Sequence, residues 1–339
     1  MTLPRFLPPF MTQRLASNPL HCIDVGARGG MQDHWRAYAD LMRIDLFEPD
    51  AEACAVQAKQ APANEAWFPV ALGGTTGTGQ LHVLQKPSGS SLYPPNPDLM
   101  FRFGPTNYGT LAKVIDVPLL TLSDFIDRHQ RPLPNLIKLD VQGAELDIFK
   151  GTRDDHLRDL LAIQTEVEFA ELYRGQPLFA DIDAHLTGRG FVLFDLLPVR
   201  SYRFIGNRSH AHLRQHLNIL KNRRDISCRL IAGDAFYLRD PEQVLAAGDV
   251  TAILKLFVIL VLYRFLDEAL YLAEAGRDKG IWSAVDANGL IALVKTAAPR
   301  PGLLQRADWL GKLARKFSRA TGIGQRRKAD YWLDRSWDF

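Results

Sequence analysis

The stretch "KLDVQGAEL" runs from Lys138 to Leu146. An apolar run delivers an acid, Asp140, at its end; the chain turns at Gly143, and a second carboxylate, Glu145, opens the next segment. With "NLI" before it and "DIFKG" after it, the stretch reads as strand, turn and short helix, stopped at Gly151. An acid where a buried strand ends is usually there to hold something.

The same unit recurs on both sides of it. "HCIDVG" (21–26) follows the Asn18–Pro19 turn as a first strand, and helical periodicity runs from Met31 to Leu41. "RIDLFEPD" (43–50) gives a second strand halted at Pro49, and "AEACAVQAKQ" (51–60) gives a helix. "WFPVAL" (67–72) is a third strand, closed by Gly73 and Gly74. "NLIKLD" (135–140) is the fourth core strand, "LLAIQTEVEF" (160–169) the fifth, "FVLFDL" (191–196) the sixth and "CRLIAGDAFYLRD" (228–240) the seventh. Strands alternating with helices predict an α/β fold on a mostly parallel sheet.

The rhythm breaks at "GQLHVLQ" (79–85), which reads as an added strand, and resumes with "VIDVPLLTLSDFIDRH" (114–129), a strand leading to a helix capped by Thr121 or Ser123. Between them, Lys86 to Gly109 is rich in Pro, Ser, Gly and Asn and carries Phe101, Phe103 and Tyr108. So long an irregular stretch is expected to be a lid or a loop that sets specificity. Beyond Pro241 only helical patterning remains, so the expected organisation is a lead segment 1–20, a main domain 21–240 and a helical extension 241–339. "AILKLFVILVLYRFL" (252–266) is interrupted by Lys255 and Arg264 and falls short of the roughly 20 apolar residues a membrane span needs, so a buried helix is expected. The face bearing Leu256, Ile259, Leu260, Tyr263 and Leu270 is the expected surface for a homodimer.

Composition narrows the function. The 41 Lys and Arg nearly balance the 38 Asp and Glu, leaving a net charge of +3, which is no polyanion-binding footprint, so no nucleic-acid partner is expected. The three cysteines, Cys22, Cys54 and Cys228, have no metal-like spacing and fit buried thiols in a reducing compartment. Prolines interrupt the apolar patch of the first 20 residues, which argues against a signal peptide and for the cytosol. His210, His212 and His216 offer no fixed acidic third ligand, and no metal site is expected.

"DVGARGG" follows the first strand directly, where glycines let the backbone approach a cofactor. Its glycines, Gly26, Gly29 and Gly30, are spaced more loosely than the dinucleotide fingerprint. Glu48 ends the second strand about 20 residues later, the place for an acid that accepts from two ribose hydroxyls. The pair points to an adenosine-bearing cofactor without a pyrophosphate, and Asp24 adds a carboxylate suited to a cationic one. Asp140 lies at the carboxyl end of the fourth strand, beside the point where such sheets bind ligands. Glu145 points to the same mouth or caps its helix, and Glu166 and Glu168 share a strand face from which one lines the pocket.

With "IDVGARGG", "FEPD", "VPLLTLSDFI", "IKLDVQGAELDIFKG" and "EVEFAELYRGQPLF" in this order, the chain resembles the FkbM family of S-adenosylmethionine-dependent methyltransferases from about Cys22 to Asp240. The resemblance implies a class I methyltransferase (Rossmann-like) fold, with seven strands of which the last is antiparallel. It implies S-adenosyl-L-methionine as cofactor and methylation of a hydroxyl on a sugar, glycan or natural-product acceptor. Carried over, Asp24, Gly26 and Gly29 form the cofactor turn, Glu48 with Pro49 holds the ribose, Ala71 and Leu72 meet adenine, and Asp140 stands beside the methionine end. Asp140 or Glu145 is expected to be the base, with Glu166 or Glu168 binding the acceptor. Two rivals are an NAD-linked sugar oxidoreductase, disfavoured by the missing glycine fingerprint, and a non-catalytic scaffold that binds the cofactor and oligomerises through its C-terminal helices.

Overall fold

The computed structural model describes residues 7–103, 109–201 and 229–298. The first strand, β1 (Leu20–Val25), is buried along its whole length and pairs in parallel with β2 (Met42–Phe47) on one side and β7 (Leu136–Leu139) on the other. A strand covered on both faces reads as a continuous apolar run, which is why "HCIDV" shows no clean alternation. β3 (Glu65–Phe68) extends the sheet beyond β2, and β8 (Ala162–Glu168) extends it beyond β7. β10 (Arg229–Arg239) enters antiparallel between β8 and β9 (Phe191–Ser201), completing the order β3-β2-β1-β7-β8-β10-β9. Six strands are parallel and β10 alone is reversed, as expected. The order turns back between β1 and β7, so their carboxyl ends flank the crevice where such sheets take ligands.

"WFPVAL" forms two strands, not one. Pro69 cannot donate to a ladder, and the chain leaves the main sheet there; Ala71–Leu72 becomes β4, which pairs with β6 (Leu111–Leu120) in a second sheet of order β4-β6-β5, with β5 at Gly77–Leu84. The stretch from Lys86 to Gly109 is anchored where it is described. Ser91 pairs with His82, Pro95 with Tyr173, and α3 (Pro97–Phe103) sends Met100 into a small core with Leu84 and Tyr173. The apolar residues scattered among its prolines supply that core.

The segment after the glycine turn is a 3-10 helix over Asp33–Leu41, kinked at Tyr38, instead of an α-helix. Its buried residues, Trp35, Tyr38 and Leu41, are spaced by three, the period of that helix. α1 (Pro9–Ser17) precedes β1, and α2 (Ala51–Ala58) is capped by Asp50, whose side chain accepts from Glu52 N and Ala53 N. Thr121 caps α4 (Leu122–His129) through Asp124 N. α5 (Glu145–Lys150) and α6 (Phe179–Thr187) cover the face that α4 also covers, through Phe125, Ile148 and Ile182.

The other face is covered by α1, the 3-10 segment and four C-terminal helices: α7 (Pro241–Ala247), α8 (Val250–Tyr263), α9 (Leu266–Asp278) and α10 (Ala284–Ala297). The described residues from 229 to 297 belong to the same compact unit as those before 206. α8 is buried without interruption from Ile253 to Leu262, the pattern of a helix apolar all round. Lys255 is buried with it because its Nζ donates to Asn18 Oδ1 and Asn135 Oδ1, each at 2.9 Å. Leu256, Ile259 and Leu260, on the face expected to meet a second copy, are wholly buried against the chain's own sheet. Among the described residues no helix is long and apolar enough to cross a membrane. Cys22 and Cys54 are free and buried, whereas Cys228, the three histidines of "SHAHLRQH" and the basic segment "GQRRK" lie outside the described residues.

Candidate active site

Strand register lines up two polar rungs on one face of the main sheet. The lower rung runs Asp24, Lys138, Gln164 across β1, β7 and β8. Two residues nearer the carboxyl edge, the same pairing places Glu48, Gly26, Asp140, Glu166 and Asp234 side by side. Gly26 is the gap in that row. Its φ of 82° lies in the left-handed region, and a Cβ there would collide with the Asp140 carbonyl, so only glycine fits. The ladder continues past the strand ends, with Gly26 N and Ala27 N donating to Phe47 O and Asp140 N to Val25 O.

On the lower rung, Asp24 is fully buried and its Oδ1 lies 3.2 Å from Lys138 Nζ, while Oδ2 accepts from Gln32 Nε2 at 3.3 Å. Lys138 Nζ is also 3.6 Å from Asp140 Oδ2. Burial opposes a charged lysine, but the two carboxylates outweigh it and hold the ammonium above its usual range. Burial conversely pushes Asp24 up, against the pull of Lys138.

At the β2 end, Glu48 is 5% exposed; its Oε1 accepts from Asp50 N at 2.9 Å and lies 3.5 Å from Arg28 Nη1. Burial raises its pKa against these partners. Pro49 follows it directly and starts the turn into α2. Gly29 is open, with no atom within 4 Å of where a Cβ would stand, and Gly30 takes the positive φ of 91°. Ala71 and Leu72 are not loop residues: they are buried in β4, and the link from β3 is Pro69–Val70.

At the β7 and β8 end the acids gather. Asp140 is open, its side chain 44% exposed, and Asp234 at the end of the row is exposed as well. Gln142, in the left-handed conformation at φ 60°, joins the group: its Nε2 donates to Asp140 Oδ1 at 2.8 Å and to Glu166 Oε2, and its Oε1 accepts from Tyr173 OH at 2.8 Å. Ser91 Oγ donates to Gln142 O at 2.7 Å, and the same Tyr173 hydroxyl lies 2.8 Å from Gly89 O, so the chain around Gly89 and Ser91 is tied to this turn. Glu145 is fully buried and binds its own turn, Oε1 taking Val141 N at 2.8 Å and Oε2 taking Gly143 N at 2.9 Å. Burial raises it to about 7 against those bonds. Glu168 is 1% exposed with Oε2 unbonded, and burial, then neighbouring carboxylates, push Glu166 and Glu168 well up. Burial and Asp140 likewise raise Asp234.

The structure thus brings Asp140, Glu145, Glu166 and Glu168 to one mouth, with Glu145 committed to the turn. Lys138, Gln142, Tyr173 and Asp234 were missed in the sequence. Lys138 had a signal, since it shares a strand face with Asp140; Asp234 meets Glu166 only through the antiparallel register of β10, and Gln142 and Tyr173 act through a left-handed turn and a packed loop that periodicity does not reveal. Among the described residues no set of His, Cys, Asp and Glu is arranged to hold a metal ion. A cavity of about 900 Å³ between α1 and the starts of α8 and α10 contains none of these acids, so donor chemistry and not volume locates the site.

No curated protein matches the sequence. Among solved structures, a precorrin-6y C5,15-methyltransferase from Geobacter metallireducens GS-15 is 10% identical, with 70% of this chain and 93% of that chain covered and a TM-score of 0.31. An antibiotic-related methyltransferase is 12% identical, with 70% and 96% covered and a TM-score of 0.28. Likeness at that level carries no argument, and the strand order itself defines the fold. The model of the methyltransferase FkbM domain matches residues 24–193, from Asp24 on the lower rung, through every acid at the mouth except Asp234, into β9. That match spans half of the chain and contains the turn, the ribose-position acid and the "DVQGAE" block, and the chain belongs to the FkbM methyltransferase family.

Proposed function

We propose that the protein is a cytosolic S-adenosyl-L-methionine-dependent O-methyltransferase acting on a hydroxyl of a sugar, glycan or natural-product acceptor. The observation that supports this reading is the upper rung: a left-handed glycine turn at Gly26, packed against the Asp140 carbonyl and flanked by Glu48 on one side and by Asp140, Glu166 and Asp234 on the other. The residues fit the cofactor's chemistry. Both Glu48 contacts fall on Oε1, so Oε2 is left to accept from a ribose diol, and the row of acids suits a ligand carrying ammonium and sulfonium charge. A pyrophosphate would meet the same acids with like charge, which disfavours a dinucleotide.

When bound, the cofactor supplies a methyl group activated by the sulfonium. The chain's task is then alignment and handling of one proton. Gly26 lets the backbone close on the ligand. Asp140, exposed and held by Gln142 and Lys138, is placed to accept the acceptor's hydroxyl proton as the oxygen attacks. Glu166, whose carboxyl burial and then its neighbouring carboxylates push well up, stands beside Asp140 and is a candidate to bind the acceptor. Glu145 holds the 141–143 amides and so positions Asp140 without acting as the base.

The test is transfer of labelled methyl from S-adenosylmethionine to a panel of hydroxyl-bearing sugars and aglycones, with the product checked for an ether methyl. Asp140→Asn should lower turnover by about 10²-fold or more with saturating cofactor. Full turnover in Asp140→Asn, or methyl appearing only on nitrogen, would defeat the assignment.

A further inference from the structure

The family match ends at residue 193, yet α8, more than fifty residues later, sends a side chain to the site. Tyr263, the last residue of α8, receives a hydrogen bond from Trp35 Nε1 at 3.1 Å and donates one to Gln164 Oε1 at 2.9 Å. An indole can only donate and an amide oxygen can only accept, so the direction of both bonds is fixed and the phenol's single proton is used. The ring is held as tightly, tilted against Phe236 with centroids 4.2 Å apart and edge-on to His34 at 4.8 Å.

The two partners belong to the two halves of the proposed cofactor site. Gln164 lies on the lower rung of the sheet, beside Lys138, which pairs with Asp24 and Asp140. Trp35 lies in the 3-10 segment that leaves the glycine turn, three residues after Gln32, whose amide reaches Asp24. Tyr263 is therefore the cross-tie between β8 and the arm that carries the glycine turn, delivered by a helix that is not part of the matched domain.

We propose that Tyr263 is a positioning residue for the cofactor: it sets the distance between the glycine-turn arm and the β7–β8 side of the mouth without touching the ligand itself. The proposal rests on the reading of the site as one for S-adenosylmethionine. It also gives the C-terminal helices a role in the site beyond covering the sheet.

The experiment is calorimetric titration of the full chain with S-adenosylhomocysteine, comparing wild type, Tyr263→Phe, Trp35→Phe and the double variant, with Leu293→Ala as a core control that weakens packing but removes neither hydrogen bond of the tie. Tyr263→Phe keeps the ring contacts and removes only the hydroxyl. Each single variant should weaken binding by about tenfold, the double no more than either single, and Leu293→Ala should lower Tm with Kd unchanged. Wild-type affinity in Tyr263→Phe, independent multiplication of the two effects, or equal weakening by Leu293→Ala would overturn the proposal. Absence of binding by the wild type would sink the cofactor reading and this proposal together, which separates the two failures.

Discussion

Two clusters on the same parallel strands treat buried charge in opposite ways. Within β2, on the face opposite the two rungs, Asp45 is fully buried, but His21 Nε2 lies 2.8 Å from its Oδ2 and Arg131 grips both oxygens, Nε reaching Oδ2 at 2.8 Å. Burial alone would raise Asp45; the bonds from His21 and Arg131 outweigh it and hold the carboxyl below its ordinary value. At the carboxyl end, Asp140, Glu145, Glu166, Glu168 and Asp234 crowd together, and among the described residues Lys138 pairs with Asp140 and with Asp24 below it. A balanced cluster stabilises the fold. An unbalanced one raises the energy of the empty protein and lowers that of a complex with a cationic ligand.

That contrast can be broken most strongly at the balanced cluster. Arg131→Met leaves Asp45 buried with His21 alone and should cost about 3–5 kcal/mol in urea unfolding. Binding of S-adenosylhomocysteine by the fraction that stays folded should be unchanged. A loss below about 1 kcal/mol would show that the pair is solvated and not structural.

The pH dependence should come next in size. A carboxyl raised on folding binds its proton more tightly in the native state, so stability is greatest below its unfolded value and is lost as pH rises through the folded value. For Glu145, at about 7, the loss falls between roughly pH 4.5 and 7 and amounts to about 3 kcal/mol at most. Glu166 and Glu168 act in the same direction. Unfolding midpoints that rise over this window would contradict the unbalanced cluster.

A smaller effect should separate the two clusters again: Glu166→Gln removes one of the crowded charges and keeps an amide oxygen for Gln142, so at pH 8 it should raise the midpoint modestly and flatten the pH slope. Destabilisation at pH 8 would mean that Glu166 is held charged by partners. The smallest effect concerns charge on the ligand. S-adenosylmethionine is a cation at sulfur where its product is neutral, so the ratio of their affinities should shift toward the cation by a few-fold between pH 6 and 8. A ratio independent of pH would remove the acids from contact with the sulfonium.

Legibility in the sequence follows the same divide. The central strands were readable because each is a short apolar run bounded by Gly, Pro or Asn, and because Asp24, Glu48 and Asp140 stand at or near strand ends. Glu145 was readable as an acid but not as a ligand of its own turn, since that depends on Gln142 and Gly143 both having positive φ. Long-range ties were not readable at all. Tyr263 to Gln164, Ser91 to Gln142 and Asp45 to Arg131 are set by packing between elements tens of residues apart, and no local spacing encodes them.

The cofactor assignment is tested most directly by calorimetric titration of the wild type and Glu48→Ala with S-adenosylhomocysteine and, separately, with NAD. The wild type should bind S-adenosylhomocysteine at micromolar affinity or tighter, Glu48→Ala should lose about tenfold or more, and NAD should not bind. NAD binding by the wild type, or S-adenosylhomocysteine binding that ignores Glu48, would contradict the assignment.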